Sequence, residues 1–74
     1  MLEMFTNTKN EMNADVQGAL NQINKSYKAF THNGKPMTKQ QVKVVLEYAL
    51  RQGYNNTGQL SDGEVDNVIA INRL

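Results

Sequence analysis

Any chemistry in this chain would start from His32, its sole histidine, or from Asp62, Glu64 and Asp66, carboxylates at every second position. An imidazole works as a general base when a carboxylate or another partner orients it. His32 stands beside Asn33-Gly34 with no such partner near it in sequence, so it reads as a turn residue. In a helix, Asp62 and Asp66 share one side while Glu64 faces the other, and the oxygen-ligand spacing of a calcium loop is absent. Ser26 and Ser61 have no local dyad. Gly53 and Gly58 lack the downstream Gly-Lys-Ser/Thr of a phosphate loop. The chain has no cysteine, which removes metal-thiolate sites. The expectation is a non-enzymatic protein with no catalytic, cofactor-binding or metal-binding residue.

Binding chemistry rests on charge and on apolar residues that helix packing leaves over. The net charge is +1, unevenly distributed. Residues 1 to 24 set Lys9 against Glu3, Glu11 and Asp15, and residues 54 to 74 set Arg73 against Asp62, Glu64 and Asp66. Between these acidic ends, Lys25, Lys28, Lys35, Lys39, Lys43 and Arg51 face Glu47 alone. If the five lysines converge they can hold a phosphate backbone, with Tyr27 or His32 adding a stacking surface for a single strand. The competing reading is solvated charge that keeps the middle of the chain soluble. With only two arginines, any nucleic-acid contact is expected to be weak backbone binding rather than base reading.

The leading expectation is a protein-interaction or regulatory module, with a protein partner or a second copy as its target. Val44, Tyr48, Ile71 and Leu74 miss the inferred core stripes, and Phe5 belongs to an uncommitted Met1-Leu2-Glu3-Met4-Phe5 cluster. Meeting in one patch, these residues would mark an interface. A symmetric homodimer is the simplest form of it. The alternative is that Tyr48 and Ile71 pack against the first helix or the hairpin, and for Tyr48 this core reading is preferred. No 18-residue apolar run suggests a membrane span, and residues 1 to 6 lack a signal-peptide pattern, so the cytoplasm is the expected location.

The elements that would position these residues are announced by a helix-opening pattern written twice. Met37-Thr38-Lys39-Gln40-Gln41-Val42 and Leu60-Ser61-Asp62-Gly63-Glu64-Val65 each carry an apolar residue, a hydroxyl cap, Gln or Glu three residues later, and a second apolar residue. The first amides of a helix lack internal acceptors; Thr38 or Ser61 supplies one while Gln41 or Glu64 reaches back to the cap amide. Met37 against Val42 and Leu60 against Val65 complete hydrophobic staples.

Behind the first box, Val42, Val45, Leu46, Ala49 and Leu50 wind onto one stripe at roughly 100° per residue, ending before Gly53. Glu47 sits within pairing reach of Lys43 and Arg51. Behind the second box run Val65, Val68 and Ile69. The predicted helices cover about 38–52 and 61–72, reversed by a loop at 53–59 rich in Asn, Thr and Gly. A third stripe, Met12, Val16, Leu20 and Ile23, predicts a helix over about 13–27, capped by Asn13 or Asn10, with Gly18 a weak point in its interior.

Asn33-Gly34 signals a type I′ turn within a hairpin at 28–37, near whose edge or end Pro36 must lie. Residues 1–11 have no clean period and read as an arm; residues 12–74 read as a single domain. The fold class is α+β or mostly α: three helices with a short hairpin or structured turn between the first and second. A chain of this length buries roughly 60% of its unfolded surface, which leaves little reserve and adds to the suspicion of a partner.

Overall fold

The computed structural model describes residues 13–74. The expected arm, Phe5 and Met12 lie outside these residues. Among the described residues there are four α-helices: α1 (Val16–Asn21), α2 (Ile23–Ser26), α3 (Lys39–Arg51) and α4 (Asp62–Ile71), with 3-10 turns at Tyr27–Ala29 and Thr57–Gln59. A two-stranded antiparallel ribbon joins α2 to α3, with β1 at Thr31–His32 and β2 at Lys35–Pro36. The fold is therefore small, mixed α/β and mostly helical. It corrects the three-helix expectation, and the hairpin follows the second helix, not the first.

The extra helix comes from a break at Gln22, whose φ of −116° and ψ of 32° leave the helical region. Ser26 Oγ donates to the Ala19 carbonyl at 2.7 Å, taking the acceptor that the Ile23 amide would use in a continuous helix. The cap of α1 also differs from expectation. Asp15, not Asn13 or Asn10, accepts from the Gly18 amide at 2.7 Å.

Both anticipated boxes form. Thr38 Oγ1 accepts from the Gln41 amide and Gln41 Oε1 from the Thr38 amide; Ser61 and Glu64 repeat the exchange. A third box stands inside the loop between α3 and α4, where Gln59 Oε1 accepts from the Asn56 amide and Asn56 Oδ1 from Gly58. Asn33 and Gly34 have φ of 54° and 78°, the two positive values that a type I′ turn requires. Thr31 pairs with Pro36 and His32 with Lys35, so Pro36 falls at the end of the ribbon as its missing donor demands.

Helix ends are as specific as helix starts. After α3, Gly53 at φ 81° donates to the Leu50 carbonyl and Tyr54 to Ala49; after α4, Arg73 at φ 58° donates to Ala70 and Leu74 to Ile69. Both are Schellman closures, which satisfy the last carbonyls of a helix through one left-handed residue.

The core gathers Val16, Ala19, Phe30, Met37, Val42, Val45, Leu46, Ala49, Leu60, Val65 and Val68 from α1, α3, α4 and the segments that flank α3 and α4. Both staple pairs lie in it. Tyr48 near the end of α3 bonds Glu64 at the start of α4, while Gln41 at the start of α3 bonds the Leu74 carbonyl beyond the end of α4. The two helices thus run antiparallel.

The first helical segment also runs back along α3. The Val16 amide donates to Asn55 just past α3, and the Met37 amide, just before α3, donates to Phe30. A clamp around Thr57, which is 1% exposed, ties that segment down: its Oγ1 accepts from the Ala14 amide at 3.0 Å, and its own amide donates to the Ala14 carbonyl.

Candidate functional site

Two clusters of polar side chains form on α4, one on each side of its buried stripe. On one side Glu64 uses both oxygens. Its Oε1 closes the capping box, and its Oε2 accepts from Tyr48 at 2.8 Å and from Tyr54 at 2.7 Å. Burial pushes this carboxyl up, but the hydrogen bonds from Tyr54, the Ser61 amide, Tyr48 and the Ser61 hydroxyl outweigh it and hold Glu64 below its ordinary value. The same bonds, then burial and the carboxylate charge, raise both phenols. Every polar atom is spent on holding α3, the loop and α4 together.

On the other side the hairpin is latched to α4, with His32 Nε2 lying 2.6 Å from Asp66 Oδ1. The His32 side chain is 12% exposed and that of Asp66 is 62% exposed. Beside them a shallow groove of about 290 Å³ is lined by Asn33, Lys35, Pro36, Met37, Gln41 and Ile69 as well. The void beneath, between Phe30 and Leu60, is about 10 Å³, at the lower limit for one water.

His32 therefore has the carboxylate partner that its sequence neighbours lack, brought from 34 positions away. No serine, threonine or cysteine lines that groove. Among the described residues no three His, Cys, Asp or Glu side chains gather to hold a metal ion.

The lysines are distributed over several elements. Lys25 lies on α2, Lys28 in the following 3-10 turn, Lys35 on β2, and Lys39 and Lys43 on the first turns of α3; all five are exposed. Both α2 and that turn pack on α3, which brings Lys25 and Lys28 toward its first half. Tyr27 is half-buried against the core, and His32 Nε2 bonds Asp66. Among the described residues Glu47 makes no ion pair with Lys43 or Arg51.

The apolar candidates collect along the antiparallel pair of α3 and α4. Val44 and Tyr48 are half-buried against the core on the flank of α3 that also carries Gln41 and faces α4. Tyr48 thus packs toward α4 rather than toward the first helix or the hairpin. Ile71 is 70% exposed and Leu74 43% exposed, beside that seam. Sequence reasoning missed the clasp of Glu64 by Tyr48 and Tyr54. The available signal was that a capping-box carboxylate uses one oxygen and leaves the other to find donors.

Comparison with known proteins adds no relative: no family model, no curated protein and no solved structure matches this chain. No helix among the described residues is long and apolar enough to cross a membrane.

Proposed function

We propose that this chain is a non-enzymatic protein-interaction module of regulatory type. It takes a protein partner on the edge of α3 and α4 that carries Val44, Tyr48, Ile71 and Leu74. The observation supporting this reading is Ile71: a large aliphatic side chain 70% exposed on a small domain, with Leu74 exposed three residues on. Exposed apolar residues that meet in one patch mark binding sites. The cytoplasm is the compartment this reading assumes.

Because Val44 is half-buried against the core, Ile71 is the better residue to change. Capture from native lysate, with and without nuclease, is expected to retain a partner at high salt on the wild type and to lose it on Ile71→Glu. A capture profile that Ile71→Glu leaves unaltered removes the proposed edge.

A second reading, weak binding of a nucleic-acid backbone, draws on the five exposed lysines. Under it, capture is nuclease-sensitive, falls steeply with salt, and is lost on joint Lys35→Glu and Lys39→Glu substitution.

A further inference from the structure

The tip of the hairpin can carry out a reaction that needs only water. Asn33-Gly34 is the one place in the chain where asparagine precedes glycine. In such a pair the glycine backbone nitrogen can attack Cγ of the asparagine side chain, and glycine has no Cβ to crowd the approach. Two further conditions are structural. Both reacting groups must be free, and the backbone between them must be able to rotate.

Both groups are free at this turn. Asn33 and Gly34 are exposed, and among the described residues neither the Asn33 side chain nor the Gly34 amide makes a hydrogen bond. Outside the chain neighbours of Gly34, no described atom lies within 4 Å of a Cβ built on it, so a ring closing there meets nothing. Other asparagines lack this combination. The side chains of Asn21 and Asn56 accept hydrogen bonds and that of Asn72 donates one, and none of the three precedes glycine. Asp62-Gly63 offers the same neighbour, but both residues lie in the first turn of α4, where the helix fixes the backbone between them.

Ring closure requires rotation about the Asn33 ψ bond, which a closed type I′ turn holds, so the tip must open first. Opening breaks little. Beyond the buried Phe30 and Met37 the ribbon has two residue pairs, and Asn33, Gly34, Lys35 and Pro36 are all exposed. The tip therefore opens without uncovering the core, at a small fraction of the cost of global unfolding.

In the reaction the Gly34 nitrogen bonds Cγ of Asn33, and the side-chain amide leaves with the Gly34 proton as ammonia. Water then opens the resulting succinimide at either carbonyl, giving aspartate or isoaspartate. Both products replace a neutral amide by a carboxylate, which removes one unit from the net charge of +1. They differ in the fold. Asp-Gly suits a type I′ turn as Asn-Gly does, so aspartate keeps the hairpin. Isoaspartate routes the chain through the side chain and adds a backbone carbon to the two-residue loop that sets the pairing of His32 with Lys35. Because the hairpin holds His32 Nε2 at 2.6 Å from Asp66, a disturbed register withdraws that latch from α4.

We propose that Asn33 is a site of spontaneous hydrolytic deamidation, and that its isoaspartyl product releases the hairpin from α4.

Ageing the purified full chain in mildly alkaline buffer tests it, with the same chain unfolded in urea at the same pH as reference. Intact mass and peptide mapping are expected to show conversion of amide to acid at Asn33 ahead of every other asparagine. The native rate is expected to lie within about tenfold of the unfolded rate, equivalent to an opening cost of about 1.4 kcal/mol. It is expected to rise in proportion to hydroxide, since the attacking nitrogen must lose its proton. Asn33→Gly keeps a sequence that type I′ turns accept and removes the carboxamide, so it is expected to show no conversion there. Hydrogen exchange at Met37, whose amide donates to Phe30 at the base of the ribbon, reads the release. It is expected to be faster in the isoaspartyl fraction than in fresh protein or in Asn33→Asp, which carries the charge without the extra carbon.

A native rate slower than the tenfold bound overturns the proposal, because the closed turn then protects the pair. So does conversion at another asparagine ahead of Asn33. An isoaspartyl fraction whose Met37 exchange matches that of Asn33→Asp overturns the release of the hairpin.

Discussion

Glu64 has only two carboxylate oxygens, yet it caps α4 and receives two phenols. Its folded pKa lies below its unfolded value, so its stabilising contribution is complete above the unfolded range, near 4.3, and is lost as pH falls through the folded value. The phenols behave oppositely. Raised in the fold, they contribute below their unfolded value of about 10 and lose that contribution as pH rises through the folded ones. Glu64→Gln is expected to cost about 1 kcal/mol at neutral pH and to flatten the acid limb of a urea-midpoint series taken against pH. An unchanged acid limb in that variant would show that the carboxylate does not carry the dependence. Tyr48→Phe is expected to retain the acid limb in weakened form, because Tyr54 and the Ser61 cap remain.

Helix boundaries decide the element scale. The starts of α3 and α4 were legible because capping chemistry is local: Thr38 with Gln41, and Ser61 with Glu64, act within one turn. The box at Asn56 and Gln59 was hidden because it opens a 3-10 turn too short to show any apolar period. The break at Gln22 was invisible for a different reason. It depends on Ser26 reaching Ala19 across seven residues, while the apolar stripe of the first helix runs on unbroken through the kink.

Ends carry their own test, since Gly53 has φ 81° and open space around an added methyl group. Gly53→Ala is expected to destabilise the protein by about 1 kcal/mol in chemical unfolding, through backbone conformation alone. Asparagine, which tolerates this conformation, is expected to cost less at the same position. Equal stability of the alanine variant would mean that the closure after α3 is not held in the native ensemble.

At the scale of the molecule, one buried threonine holds two distant segments together. Thr57 accepts from the Ala14 amide and donates its own amide to the Ala14 carbonyl, beside the Val16 to Asn55 bond. Thr57→Val keeps the volume and removes the hydroxyl, leaving a partly buried donor unmade at a cost of about 1 to 3 kcal/mol. Hydrogen exchange is expected to accelerate first at Ala14 and Val16, ahead of the centre of α3. Uniform acceleration across α3 and α4 would instead mean that the clamp opens only with global unfolding.

Local rules determined what could be read from the sequence: the two boxed helices and their core stripes, apart from Leu50, which stays 39% exposed, and the type I′ turn at Asn33-Gly34. Caps, turns and helical periods act over a few residues, so neighbouring side chains suffice to specify them. Only the tertiary structure decided that His32 has a carboxylate partner, that Glu64 ties two tyrosines, and that the first helix is two. It also decided that Val44 is half-buried against the core while Ile71 stays exposed. These depend on contacts 7 to 34 positions apart, whose cost in chain entropy is recovered only when the whole core closes.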